Sequence, residues 1–238
     1  MFLRNFRFSF IALALTLGAG AAFAADLKLG GNYTPNIYMD GTVVPDGGYG
    51  GGPIVISTLD GSQLAWVYCV DMIDVVYVPA DYPDTTVTHN GTVTATQPSN
   101  VVATGVVNNA GAIAWLLDTY AGTAATTVQQ AALQAAIWHE IYGSAEYLDP
   151  TNNSVAVVNQ YNADLAALGS NTAPTSDVDW FTPGNSSGTT YQALVGQGIG
   201  VSTNIPGVPE PSSILLLGTV LLGVARLLKQ KLAIGGRS

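Results

Sequence analysis

Between Ala25 and Val208 the chain has a single basic residue, Lys28, set against fifteen of its sixteen acidic residues. That segment carries a formal charge of −14. With almost no cations to form ion pairs, its fold has to be held by apolar burial and backbone hydrogen bonds. A salt-bridged helical bundle and a coiled coil are excluded on this ground. Nucleic-acid binding is excluded too, since nothing in the segment can neutralise a run of phosphates. Apolar residues make up 48% of the 238 positions, enough for the core of one compact domain. The only cysteine, Cys69, permits no internal disulfide and argues against a cysteine-based metal site. The acidic residues from Asp40 to Asp46, and Asp71 with Asp74, do not follow calcium-loop spacing, so no metal ligands are assigned and no cofactor is expected.

The remaining basic residues mark the two ends. Arg4 and Arg7 precede an apolar run from Phe8 to Leu17 and the small residues Ala22-Phe23-Ala24, the order of a cleavable export signal over residues 1–24. At the other end, Gly196 to Pro206 reads as a flexible lead, with residues 201–207 as a linker. Val208-Pro209-Glu210-Pro211 then opens onto an apolar stretch, extended to residues 214–228 if Arg226 snorkels, and Lys229, Lys231 and Arg237 follow. This predicts a short transmembrane helix whose basic end stays cytoplasmic. The order of Pro-Glu-Pro, short hydrophobic helix and basic end over residues 208–238 resembles the PEP-CTERM sorting signal of Gram-negative bacteria. The resemblance implies an inner-membrane intermediate, processing by an exosortase near Pro209, Glu210 and Pro211, and delivery to the cell surface or extracellular matrix. The basic cluster is sparser than the family's usual run of arginines.

Within residues 25–200 the first half carries strand and turn signals. Ile54 to Thr58, Gln63 to Asp71 and Asp74 to Val78 are rich in Val, Ile, Tyr and Trp. In Gln63 to Asp71, Tyr68 and Cys69 fall on opposite faces and both faces are apolar, which predicts an interior strand. The glycine-rich Asp46 to Gly52 stretch lacks a helix-opening phosphate pattern. Helical patterns cover Ala110 to Tyr120, Thr126 to Tyr142 and Ser154 to Leu168, with Asn153 or Ser154 as the last one's cap and Gly143 and Gly169 as stops. Strand composition returns at Val178 to Phe181 and Thr189 to Val195. The expectation is an α+β domain, a β-sandwich or barrel with an inserted or packed helical segment.

An unpaired cysteine in an exported protein is a small buried hydrophobe or a chemically engaged thiol. Tyr68-Cys69-Val70-Asp71 on a strand, followed 65 residues on by Gln134 in Leu133-Gln134-Ala135-Ala136-Ile137-Trp138 on a helix, is similar to the paired motifs of bacterial thioester domains. Leu133 stands where Thr commonly precedes the glutamine. The resemblance spans Gln63 to Tyr142 and implies an internal thioester between Cys69 and Gln134, with Tyr68, Asp71 and Trp138 supporting or shielding it. It also implies covalent surface adhesion to amine-bearing targets.

The residues are chemically suited to that step. Thiol attack on the carboxamide expels ammonia and needs the near-attack geometry that a packed strand and helix supply, with effective molarities of about 10⁵ M. At about 100° per residue, Gln130, Gln134, Ile137, Trp138 and Ile141 share one arc of the helix, so Gln134 is expected in an apolar stripe with its amide short of partners; Gln130 is the fallback. Surface amines or exopolysaccharide would be the targets, and no turnover enzyme is expected. Two other readings stand beside this one: a non-catalytic matrix protein with an inert cysteine, and a cysteine hydrolase pairing Cys69 with His89 or His139.

Overall fold

The computed structural model describes residues 23–95, 98–103 and 105–198. The export-signal residues 1–22, the linker 201–207, the helix at 214–228 and the sorting residues Pro209, Glu210 and Pro211 lie outside the described residues.

The first seven strands are β1 (Phe23–Leu29), β2 (Asn32–Gly41), β3 (Gly47–Val55), β4 (Ser57–Leu59), β5 (Ser62–Leu64), β6 (Val67–Cys69) and β7 (Ala80–Thr88). A mainly helical stretch follows: α1 (Pro98–Val101), the two-residue pair β8 (Val102–Ala103) and β9 (Val106–Val107), α2 (Ala110–Leu116) running into a π turn, α3 (Thr127–Tyr142), β10 (Glu146–Leu148) and α4 (Val155–Leu168). The described chain closes with β11 (Val178–Thr182) and β12 (Leu194–Gln197).

One sheet has the order β5-β4-β1-β7-β11-β12-β6, and a second has β10-β2-β3. Since β5 and β6 stand at opposite edges of the seven-stranded sheet yet are joined through Ala65 and Trp66 alone, the edges must lie within about 10 Å of one another. The sheet is therefore curled into a near-barrel. Its strands β7 and β11 pair directly, Phe181 opposite Val87, across the helical stretch that separates them in sequence, so that stretch is an insertion. This is the predicted α+β class in its barrel form, mostly sheet with a few helices.

Local chemistry explains the helix ends. Thr126 and Gln129 form a reciprocal capping box at the start of α3, and Gly143 ends it at a positive φ of 61°. Ser154, not Asn153, caps α4; Asn153 instead ties the loop to β2 by accepting from Tyr38 N–H and donating to its carbonyl. Pro83 is tolerated inside β7 because the register slips there, between the pairs Ala25–Thr85 and Leu27–Tyr82. The strand β1 begins two residues before the predicted cleavage point.

Three expectations are corrected. The Gln63 to Asp71 segment is not one interior strand: it breaks at Ala65-Trp66, and β6 is an edge strand by hydrogen bonding. The Asp74 to Val78 segment forms no strand, its Val75 and Tyr77 being 62% and 65% exposed. Helix α3 has no narrow apolar stripe, because every residue from Ala131 to Trp138 is buried.

Strand β3 crosses β6 at backbone contact distance. A Cβ on Gly52 would sit 2.5 Å from the Val67 carbonyl oxygen and 2.7 Å from Tyr68 Cα, neither of which can swing away. Gly52→Ala should therefore destabilise the protein by about 1–3 kcal/mol, read as a lowered denaturation midpoint, and an unchanged midpoint would refute this packing.

Candidate functional site

The site lies where β3 and β6 meet under α3. On β6, Cys69 pairs with Leu194 while the flanking Val70 N–H donates to Ala193 at 2.8 Å. By the alternation of an antiparallel ladder, the N–H and C=O of Cys69 then point away from β12, toward an edge with no further strand. The Gln134 side chain fills that place. Its Oε1 accepts from Cys69 N–H at 2.9 Å and from Gly52 N–H at 2.7 Å, and its Nε2 donates to the Cys69 carbonyl at 2.8 Å. This pattern fixes the amide's orientation, since a flipped group would set its NH₂ against two donors.

The structure thus brings together Cys69 and Gln134, both buried, with Cys69 2% exposed and Gln134 wholly enclosed. It corrects one expectation about them: the Gln134 amide is not short of partners, having three hydrogen bonds. The Gly52 N–H also faces the Cys69 thiol. Burial pushes that thiol well above its ordinary pKa, the nearby Asp71 carboxylate adds to the effect, and Gly52 opposes it. The sulfur is therefore held as a thiol rather than a thiolate.

The supporting residues fall in different places. Asp71 is fully buried and fastens the end of β6: one oxygen accepts from Ile73 and Asp74 N–H, the other from Ala193 N–H at 2.7 Å. Its own carbonyl accepts from Gln192, and the next residue, Met72, donates to the Tyr142 hydroxyl of α3 at 2.9 Å. Trp138, one turn after Gln134, is fully buried with Tyr49 edge-on at 6.3 Å, and its Nε1 has no hydrogen-bond partner. Tyr68 is on the opposite face of β6, against Gly52 and Trp66, with its hydroxyl likewise unpartnered. It packs the seam rather than covering the thiol.

Gln130 is not brought to Cys69, since its amide donates to the Ala124 carbonyl. His89, just past the end of β7, bonds to Asp179 of β11 at 2.8 Å, and β11 and β12 stand between β7 and β6. His139 is engaged with the Glu146 carbonyl and the Tyr161 ring. Among the described residues no group of three or more His, Cys, Asp or Glu is placed to hold a metal ion.

Gly51 and Gly52 are further site residues: the glycine-rich Asp46 to Gly52 segment reads as a loop from its sequence but forms most of strand β3, where a run of glycines marks close approach of another group. A Cβ on Gly51 would meet Gln134 Cγ at 2.4 Å. Above them a cleft of about 280 Å³ runs down to Cys69 and Gly51, walled by Tyr33, Tyr49, Val75 and Val76 with Asp74 on its lining.

The family model of the PEP-CTERM protein-sorting motif matches residues 207–230, which take in Pro209, Glu210 and Pro211. The chain therefore carries a C-terminal sorting signal, the mark of an exported surface or matrix protein handled by an exosortase through a membrane-anchored intermediate. No curated protein and no solved structure matches the chain. Among the described residues no helix is long and apolar enough to cross a membrane.

Burial raises the Asp71 carboxyl to about 6 despite the backbone N–H donors that pull it down. A carboxyl whose pKa is raised on folding contributes stability that is fully present below its unfolded value, about 3.9, and lost as pH rises through the folded one. Stability measured by denaturant titration should thus contain a component that falls between about pH 4 and pH 6. Asp71→Asn should remove that component while lowering stability overall by about 1–3 kcal/mol. An identical pH profile in the variant would contradict this assignment.

Proposed function

We propose that this exported protein attaches itself covalently to amine-bearing surface or matrix targets through an internal thioester between Cys69 and Gln134. The observation that carries the reading is the clamping of a fully buried carboxamide onto the backbone N–H and C=O of Cys69, the residue that carries the chain's one thiol. Amide resonance and a poor leaving group make a carboxamide a weak acyl donor to a thiol, and an amide already fixed against the cysteine backbone lowers the entropic part of that barrier. The sulfur adds to Cδ of Gln134, the carbon–nitrogen bond breaks, and ammonia leaves with the thiol's proton. An amine entering by the cleft would then take the acyl group as an amide and return the proton to sulfur. The protein acts once per molecule, so it is an adhesin and not a turnover enzyme.

Two further features support this. The cleft has Cys69 on its lining, which would give a nucleophile an approach to the bond from that side. Lys28, the sole lysine before the sorting signal, is bridged by Asp26 at 3.4 Å and Asp81 at 3.2 Å, and their hydrogen bonds and charges raise its pKa. A side chain held as ammonium is not a nucleophile, which protects neighbouring copies from capture.

A second reading has its own observation. The three hydrogen bonds of Gln134 make a complete plug for the edge of β6, as an inert matrix protein would need. Intact mass separates the two. The exported protein should be lighter than its sequence by one ammonia and gain one methylamine on treatment, and Cys69→Ala should have full mass; full mass with a titratable thiol in the parent would overturn the thioester. For the sorting signal, cells lacking the exosortase should retain the chain with residues 207–230 attached in the membrane fraction. Normal release from such cells would refute processing by that protease.

A further inference from the structure

We infer that the backbone N–H groups of Gly52 and Cys69 form an oxyanion hole for acyl transfer at Gln134, and that Gly51 is the positioning residue that admits the carboxamide to it. The inference rests on the thioester reading and concerns how the bond forms.

Oxyanion holes place two donors about 2.7–3.1 Å from the oxygen that will bear charge. In the resting carboxamide Gln134 Oε1 lies 2.7 Å from Gly52 N and 2.9 Å from Cys69 N, so the same oxygen starts the reaction already held by both donors. As the sulfur adds to Cδ, the carbonyl electron pair moves onto Oε1, and both donors already point at it. Gly51, Gly52, Cys69 and Gln134 are all buried, and neither Gly52 nor Gln134 lines the cleft, so the donors act with little competition from water. Meanwhile Nε2 donates to the Cys69 carbonyl, which holds the leaving nitrogen on the far side of the carbon from the hole. Collapse of the adduct returns the electron pair to the carbonyl, breaks the bond from Cδ to Nε2 and expels ammonia carrying the thiol proton. When an amine later attacks the thioester, the same two donors face the same oxygen, and the Cys69 sulfur leaves in place of nitrogen.

A protonated, buried thiol is a weak nucleophile, so stabilisation has to fall on the developing oxyanion rather than on a preformed thiolate. Asp71 has a structural part, both its oxygens accepting from backbone donors at the end of β6.

The glycine run shows how the hole is shaped. A Cβ on Gly51 would lie 2.4 Å from Gln134 Cγ, 2.9 Å from Cδ and 3.0 Å from Oε1, displacing the whole amide. A Cβ on Gly50 would meet only the ring of Tyr33, at 2.8 Å, and that side chain is half exposed and free to turn. Neighbouring glycines thus predict opposite results.

The test follows ammonia loss by intact mass after synthesis of the full chain. It compares the parent, Gly50→Ala, Gly51→Ala and a chain with glycolate in place of Gly52, which deletes the N–H without adding an atom. The parent and Gly50→Ala should lose ammonia at the same rate. The glycolate chain should be slower by about 100-fold or more, as should Gly51→Ala where its cooperative unfolding is retained. Parental rates in the glycolate chain would overturn the oxyanion hole, and a parental rate in folded Gly51→Ala would overturn the positioning role. If Gly51→Ala does not fold, the glycolate chain decides. A parent that keeps its full mass would instead sink the thioester reading itself, an outcome distinct from failure of the hole.

Discussion

The hydrogen bonds of the Gln134 carboxamide hold the two sheets together where no ladder does. Strand β6 ends the seven-stranded sheet and β3 ends the three-stranded one, and the side chain of a helix supplies the missing partner to both. Left bare, the buried N–H and C=O of Cys69 and the N–H of Gly52 would each cost about 1–3 kcal/mol. That requirement dictates much of the neighbourhood. Glycines are needed at 51 and 52 for β3 to approach, α3 has to be buried all round for its glutamine to reach the seam, and Asp71 and Tyr142 pin the end of β6 beneath the helix.

Reading the sequence located this machinery unevenly. Helix ends were largely legible because they rest on local chemistry: the stops at Gly143 and Gly169 and the choice of Asn153 or Ser154 as a cap involve residues within a few positions of each other, while Thr126 is a cap rather than the first helical residue. Strand identity in the first half was legible from composition, but strand limits were not. The run from Gln63 to Asp71 looks continuous because apolar residues recur along it, whereas the chain passes from one edge of the sheet to the other at Ala65-Trp66, a consequence of curling that no local pattern encodes. Val75, Val76 and Val78 read as strand for the opposite reason, since their apolar character belongs to a cleft wall. The pairing of Cys69 with Gln134 was legible from motif resemblance and helix placement. The satisfaction of the amide was not, because its partners are backbone groups whose direction depends on which residue of β6 faces β12.

Full satisfaction changes how the chemistry is weighed. Forming a thioester removes no strain from an orphaned amide; it gives up the bond from Nε2 to the Cys69 carbonyl, at about 1–3 kcal/mol for the acceptor left behind. Such a step would draw instead on what is already in place, since the amide is fixed against the cysteine backbone and ammonia escapes into a large volume. Burial of the amide would limit its contact with bulk solvent to the side of the cleft that Cys69 lines.

The plug and the thioester make different demands on residue 69. A plug uses only its peptide groups and is indifferent to the side chain, so any small apolar residue would serve. It also has no use for a cleft with that residue on its lining, whereas the glycine that seats the carboxamide between two converging N–H donors serves plug and thioester alike. A reactive acyl bond would use the side chain and the cleft, and adds a further demand, that the protein carry almost no free amine of its own. The scarcity of cations that forces the fold to rely on burial and backbone hydrogen bonds is then the same property that lets such a bond survive among many copies, with Lys28 held as an ammonium between two carboxylates. One compositional bias answers to both the fold and the chemistry.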